Sequence, residues 1–354
     1  MSDDKYVGMD VHQASCVIDV LNSTGKTIMR TIIETKEKSI REFFSGLRGT
    51  VHVTFEEGTQ AAWLYDIIKP DVHRVIVCDP RQNKLLLAGN KNDKVDANKL
   101  ATLLKGDLVK PVYHGEKTTK ALKELAHVYE RLVSDCTRVK NRIKAIYRGL
   151  GISCSGTGVY ESSERKEWLE QLKEPGVRRK AELLWRELDS LEPLRQEASR
   201  EMLREARKQK AYKLLKTIPA LGPIRVALLI AAGTTPHRFR TKRQWWTYAG
   251  LAVVTRGSAE YGFDTGRLVK RRKALATRGL NSNYNRTIKH VFKSASVKAI
   301  REEPFKTYYQ GLIKRGLSPE IARVCVSRKL AAVALAVWKK EVEFDVKRLS
   351  VDAL

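Results

Sequence analysis

The first hundred residues alternate apolar and polar positions with a period of two, in short runs, before the spacing turns helical. Residues 6–10, Tyr6-Val-Gly-Met-Asp10, form an apolar run that ends in an acid, and Ser15–Leu21 follows as a second strand. Asn22-Ser-Thr-Gly25 supplies turn residues, and 27–33 reads as a third strand. Residues 37–47 predict a helix. Strand four covers 51–55 and runs into Glu56-Glu57, Ala61–Ile68 is helical, and Arg74–Cys78 is strand five. Helices are predicted over 81–88 and 94–105.

Three strands joined by short turns imply an antiparallel meander, and the alternation of helix and strand that follows is the ribonuclease-H-like order. In that arrangement acids stand at strand ends and on a late helix. Asp10 ends strand one, Glu56 ends strand four, and Asp93 and Asp96 open the last helix of this region. Residues at i and i+3 share a helical face, so Asp93 and Asp96 can point at one spot. Close carboxylates raise each other's pKa unless a cation lies between them. Oxygen ligands favour a hard ion such as Mg²⁺, and a four-acid set suits two-metal phosphoryl chemistry with ions roughly 3.5–4 Å apart. Each acid also has a plainer reading. Asp93 could be an N-cap and Asp96 a first-turn acid stabilised by the helix dipole. Asp10 could be a turn acid, or the opening of an actin-like ATPase, although no Gly-rich phosphate loop accompanies it. Glu57 competes with Glu56, because Phe55 continues the inward set Val51 and Val53 and so turns Glu56 to the other side of the strand.

Beyond residue 115 the period changes again. Leu122, Leu125, Tyr129, Leu132, Cys136, Val139, Ile143, Ile146 and Leu150 are spaced alternately three and four apart, the seam of a coiled coil or long helical hairpin. A second long helix is expected from about 163 to 211, with Pro175-Gly176 as an interruption. The seam can be internal packing or can join two protomers; the reading leans to dimerisation. Its outer face carries Arg138, Lys140, Arg142, Lys144 and Arg148, either a solvated face or a nucleic-acid contact. Residues 214–232 resemble a helix-hairpin-helix, with a Pro/Gly turn at 219–223; the plainer alternative is a packed helix pair, and Ala220 stands where that motif has its first glycine. Residues 255–298 carry eleven Lys/Arg against two acids, with Arg256, Lys270, Arg271, Arg272 and Lys273 among them. Ser258 sits in a small-residue loop beside Arg256, where a serine can approach a phosphodiester closely.

Charge sharpens this division. The net charge is +27, but residues 1–115 hold 16 Lys+Arg against 15 Asp+Glu, leaving 51 against 25 for the rest. A near-neutral front and a basic back suggest a catalytic front and a back that grips a polyanion. At 42% apolar residues the chain is not a disordered basic tail. Five scattered cysteines (Cys16, Cys78, Cys136, Cys154, Cys325) without a CxxC pair argue against zinc or disulfides and for a reducing compartment. With no signal peptide and no apolar run able to span a bilayer, the expectation is a cytoplasmic, nucleoid-associated protein with no membrane partner.

Taken together, Gly8-Met-Asp10-Val-His, Glu56-Glu-Gly-Thr59, Asn90-Lys-Asn-Asp-Lys-Val-Asp-Ala97, Ile218-Pro-Ala-Leu-Gly222, Tyr248-Ala-Gly-Leu251 and Thr255-Arg-Gly-Ser-Ala-Glu-Tyr261 resemble, in order and spacing, the DEDD-type transposases of the insertion-sequence one-ten family. The resemblance covers nearly the whole chain. It implies an α/β plus α architecture. A RuvC/ribonuclease-H-like catalytic domain would span 1–115, a coiled-coil helical insertion 116–211, and a mostly helical C-terminal transposase domain 212–354. It lays the four acids onto Asp10, Glu56, Asp93 and Asp96, and a nucleophilic serine onto Ser258. Family members often read Ser-Gly where this chain has Ser258-Ala259.

The resemblance further implies a Mg²⁺-dependent recombinase that acts on donor and target DNA, guided by an element-encoded bridge RNA and forming a covalent phosphoserine link. Specificity delegated to base pairing fits a basic excess with no recognisable base-reading helix. Because the acids and Ser258 fall in different domains, a composite site in a homodimer or homotetramer is expected. Two other readings are a RuvC-like junction nuclease that uses water, and a non-enzymatic nucleic-acid-binding scaffold.

Overall fold

The computed structural model describes residues 3–80, 92–114, 119–256, 261–264, 267–270 and 276–348. They belong to two compact units, Met1–Gly115 and Glu116–Leu354. The helix expected over 81–88 lies outside the described residues.

The first unit is a mixed sheet between helices. Its strands are β1 (Asp4–Val11), β2 (Ser15–Leu21), β3 (Thr27–Glu34), β4 (Thr50–Glu56) and β5 (Arg74–Cys78), in the spatial order β3-β2-β1-β4-β5. The pairs β1/β2 and β2/β3 are antiparallel, whereas β1/β4 and β4/β5 are parallel. The β2–β3 turn is closed by Asn22, whose Oδ1 accepts from the Thr24 and Lys26 backbone N–H groups at 3.1 and 3.0 Å, with Gly25 at φ +92°. Alternation then sorts the two faces. Val7, Met9, Val51, Val53, Phe55 and Val77 pack against Ile40 and Phe44 of α1 (Glu37–Ser45) and Leu64 and Ile68 of α2 (Ala61–Ile68). Ile76 and Cys78 face the other way, onto Leu100, Leu103 and Leu104 of α3 (Asp93–Lys105). Each fully buried large apolar side chain in these layers is worth about 1.5–3 kcal/mol.

The parity of the strands decides where the acids go. Gly8 belongs to the α3 face, where a Cβ would meet the backbone of Ala97 and Ala101. Asp10, two residues on, shares that face, as does Glu56, two residues beyond Thr54, the partner of Gly8 across the parallel pair.

Among the described residues the second unit is helical apart from four short strands. Its long helices are α4 (Lys120–Gly149) and α6 (Pro175–Arg207), with α5 (Arg165–Glu170) between them. Pro175 does not interrupt α6 but starts it: Glu174 caps the helix, accepting from the N–H groups of Gly176 and Val177, and Pro175 follows in the first turn. The proline inside α6 is Pro193.

The heptad seam is buried within the chain, not kept for a second copy. Cys136, Val139, Ile143 and Ile146 of α4 pack with Ala181, Trp185 and Leu188 of α6. Leu122, Ala126 and Tyr129 share a core with Ala198, Met202 and Ala206 near the other end of α6. The two helices thus run antiparallel, and the apolar surface invoked for dimerisation is covered by α6. Only Leu150, at the C-cap, stays exposed.

The same core continues into α7 (Lys210–Lys216), α8 (Pro223–Gly233), α9 (Lys242–Tyr248), α10 (Arg286–Ala299), α11 (Phe305–Lys314) and α12 (Pro319–Lys340). Residues on both sides of position 211 therefore share one core. Trp245 is its largest fully buried side chain, and its Nε1 donates to the Ala331 carbonyl at 3.0 Å. Between α9 and α10 lie β6 (Val253–Arg256) paired with β9 (Ala276–Leu280), and β7 (Tyr261–Asp264) paired with β8 (Arg267–Lys270), all antiparallel. The turn between α7 and α8 holds Ala220 at φ +67°, a left-handed conformation that favours glycine and suits the residue type usual at this point of a helix-hairpin-helix.

Candidate functional site

Three of the four acids singled out by sequence lie together at one end of the first unit's sheet. Asp10 stands near the end of β1, and Asp93 and Asp96 occupy the first turn of α3. The N-cap of α3 is Asn92, not Asp93: the Asn92 Oδ1 accepts from the Lys94 N–H at 3.1 Å. Capping by the neighbouring residue leaves the Asp93 carboxylate to face the strand ends. There His12 Nε2 lies 3.5 Å from Asp93 Oδ2 and 3.3 Å from Asp10 Oδ2. One potential ligand atom from each of Asp10, His12 and Asp93 lies within 4.8 Å of the others, a spacing that can hold a metal ion.

His12 is kept in place by its backbone. Its N–H donates to the Ser15 carbonyl at 2.9 Å, and its own carbonyl accepts from Thr35 Oγ1 at 2.9 Å. Sequence reasoning missed His12 as a ligand, although its place two residues after Asp10, and so on the same side of the chain, is a signal that could have found it.

Burial pushes the Asp10 carboxyl up from its ordinary 3.8; His12 opposes this, and the charges of Asp93 and Asp96 add to the rise. Asp96 shows the same strain in another form. Its Oδ1 is buried with no hydrogen-bond partner among the described residues, since Lys99 Nζ at 3.7 Å is within ion-pair range but beyond a hydrogen bond. Asp10, raised by burial and by the charges of two neighbouring carboxylates, and the unsatisfied buried oxygen of Asp96 belong to a set whose charge a cation would stabilise.

The two candidate glutamates part company. Glu56 is on the α3 face with Asp10. Glu57 begins the following turn, donates its N–H to the Cys78 carbonyl at 2.8 Å, and binds His114 Nε2 through Oε2 at 2.6 Å. His114 stacks on Tyr65, with ring centroids 5.1 Å apart. A contact spanning 57 residues leaves no local trace in the sequence.

A second missed residue is Asp19, fully buried on β2 opposite Gly8. Its carboxylate accepts from Arg30 Nε at 2.7 Å and from Thr27 Oγ1 at 3.1 Å, while Asn98 of α3 donates to Thr27 Oγ1 at 3.3 Å. This network ties the acid-bearing helix to the sheet.

The basic residues expected to meet nucleic acid fare unevenly. Arg138 pairs with Asp135 on its own helix. Lys140 Nζ lies 2.6 Å from Glu192 Oε1, Arg142 is 3.9 Å from Glu187, and Lys144 donates to the Gly156 carbonyl at 2.6 Å. Arg148 is exposed. Arg256 ends β6 and Lys270 ends β8, with side chains outside the described residues. Ser258, Arg271, Arg272 and Lys273 lie outside them altogether.

Comparison with known proteins places this geometry. A DEDD-type IS110 profile, described as transposase, matches residues 7–151, and a profile described as transposase IS116/IS110/IS902 family matches residues 212–310. Both define the same class of protein, a transposase. The chain belongs to the IS110 family. It is 22% identical over 340 residues to the protein y4pF/y4sB of Sinorhizobium fredii, classed by name among transposases, with 94% of this chain and 83% of the relative covered. It is 29% identical over 180 residues to the transposase for insertion sequence element IS1533 of Leptospira borgpetersenii, covering 47% of this chain and 50% of the relative. Among the described residues no helix is long and apolar enough to cross a membrane.

Proposed function

We propose that this transposase is an RNA-guided recombinase that moves its insertion sequence by cutting and rejoining DNA through a phosphoserine link. The observation that carries the reading is the convergence of Asp10, Asp93 and Asp96, with His12, at the end of a β3-β2-β1-β4-β5 sheet. That strand order, three antiparallel and two parallel, supports a RuvC/ribonuclease-H-like first domain.

In this proposal Asp10, Glu56, Asp93 and Asp96 hold Mg²⁺, which when bound supplies charge stabilisation at the phosphate and favours the ionised serine. The Ser258 hydroxyl attacks a DNA phosphorus. The Oγ–P bond forms, the P–O3′ bond breaks, and the 3′ oxygen leaves as a hydroxyl, taking up the proton released from serine. The 5′-phosphate stays on the protein. Rejoining is the reverse step, with a different 3′-hydroxyl as attacker. Target choice is delegated to base pairing with an element-encoded RNA, which fits a basic chain lacking a base-reading helix. The working assembly in this proposal is a homodimer or homotetramer. Within the chain the heptad seam is covered by α6.

The test is incubation of the protein with labelled DNA and the RNA transcribed from the DNA flanking its gene. An adduct that survives denaturation in the wild type and is absent in Ser258→Ala is expected. Strand cleavage that persists in Ser258→Ala points instead to a water-using junction nuclease. Cleavage indifferent to Asp10→Asn and Asp96→Asn removes the acids from the chemistry.

A further inference from the structure

The basic excess of the second unit is not evenly neutralised. No Asp or Glu occurs between Glu205 and Glu260, a stretch that holds α7, α8, the turn at Pro236–Arg238 and α9. Outside it, Lys140 meets Glu192 and Arg165 meets Asp189, each at 2.6 Å, and at its N-terminal edge Lys208 meets Glu205 at 2.6 Å and Lys210 pairs with Glu341. On α9 and the turn before it, Arg240, Lys242 and Arg243 are exposed, and none has a carboxylate partner among the described residues. Lys242 instead lies 5.5 Å from the centroid of the Trp246 ring.

Helix α12 holds this face in place. Trp245 and Trp246 of α9 donate through their indole N–H groups to the carbonyls of Ala331 and Arg328, each at 3.0 Å, and Arg328 Nε donates to the Leu251 carbonyl at 2.7 Å. Locked in this way, α9 carries Lys242 beside Lys329 of α12. Burial, and then the charge of Lys242, hold the Lys329 ammonium below its ordinary range. Cations crowded onto one face make a positive potential that a polyanion relieves. Trp245 is wholly buried and Lys242 lies over the Trp246 ring, so the exposed groups of this face offer charge.

We infer that Arg240, Lys242 and Arg243 form a face that grips the phosphate backbone of duplex DNA without reading its sequence. The inference rests on the proposal that this protein acts on DNA, and it assigns the grip to α9 and the turn before it in place of the outer face of α4. Neutralising a phosphate releases condensed counterions, so each cation that does so steepens the fall of affinity with salt.

The experiment measures binding of the full chain to two duplexes of unrelated sequence across a series of salt concentrations. For Arg240→Gln/Lys242→Gln/Arg243→Gln the slope of log affinity against log salt is expected to shrink by about 0.9 for every phosphate left without its cation, equally on both duplexes. Lys242→Gln alone is expected to shrink it by about 0.9. Lys208→Gln, which removes an exposed cation already paired with Glu205, is expected to leave it unchanged. The substituted side chains are exposed, so an unchanged melting temperature confirms an intact fold. Wild-type binding with an unaltered slope in the triple variant overturns the inference and leaves the proposed function standing. Weakening confined to a single-stranded RNA probe also overturns it. No duplex binding by the wild type, with or without RNA, overturns both.

Discussion

Gly8 lies against Ala97 so closely that a methyl group on its Cα would sit 2.1 Å from the Ala97 carbonyl oxygen and 2.5 Å from the Ala101 nitrogen. Both neighbours are backbone of α3, which cannot turn aside as a flexible side chain would. The contact sets how near the helix carrying Asp93 and Asp96 comes to the strand carrying Asp10. Gly8→Ala is therefore expected to lift α3 from the sheet and cost about 3 kcal/mol, the upper end for overpacking a core. A denaturant titration checks this, and DNA cleavage should fall with it. Ala101→Gly, which frees space on the helix but not at the Ala97 carbonyl, should not rescue it.

Asp10 makes the site's stability depend on pH with a definite sign. Its carboxyl is raised in the folded state, so the folded protein holds that proton more tightly than the unfolded chain. The resulting stabilisation is present in full below the ordinary value of 3.8 and is lost as pH rises through the raised value. At neutral pH, ionised Asp10 thus weakens the cation-free unit. Asp10→Asn is expected to melt higher than the wild type at neutral pH in the presence of a chelator, with the gap closing toward pH 3.8. Melting curves at the two pH values check it.

The Asp19–Arg30 pair is lopsided. The Asp19 side chain is 0% exposed and that of Arg30 45%. Removing Arg30 strands a buried carboxylate, whereas removing Asp19 leaves a guanidinium that reaches water. Arg30→Met is expected to cost about 3 kcal/mol, the lower end for breaking a buried pair, and Asp19→Asn clearly less. Equal costs, measured by denaturant midpoints, would contradict this asymmetry.

Much of the first unit is legible in the sequence because alternation and turn chemistry act locally. The five strands, α1, α2 and α3 follow from apolar spacing and from Asn22 and Gly25. Strand parity also tells that Glu56 turns away from Val51, Val53 and Phe55; it does not tell that α3 covers the far face, a fact set by the Gly8–Ala97 contact. The roles of His114 and Arg30 are illegible because their partners are distant in sequence or one strand over. Asn92 and Asp93 both suit an N-cap, and only the backbone shows which residue caps. In the second unit the α4 seam is plain, but a heptad pattern does not name its partner, and α6 fills it. The strands between Val253 and Leu280 are only four or five residues long, too short for a period to show among so many cations.

Divalent-cation binding tests the central claim most directly. Mn²⁺ titrated into the full chain, followed by its paramagnetic signal, should bind saturably to the wild type and to Glu57→Gln, whose carboxylate is engaged by His114. Asp10→Asn and Asp96→Asn should lose that binding while keeping their fold. Undiminished Mn²⁺ binding in Asp96→Asn, or its loss in Glu57→Gln alone, would contradict a cation site built on Asp10, Glu56, Asp93 and Asp96.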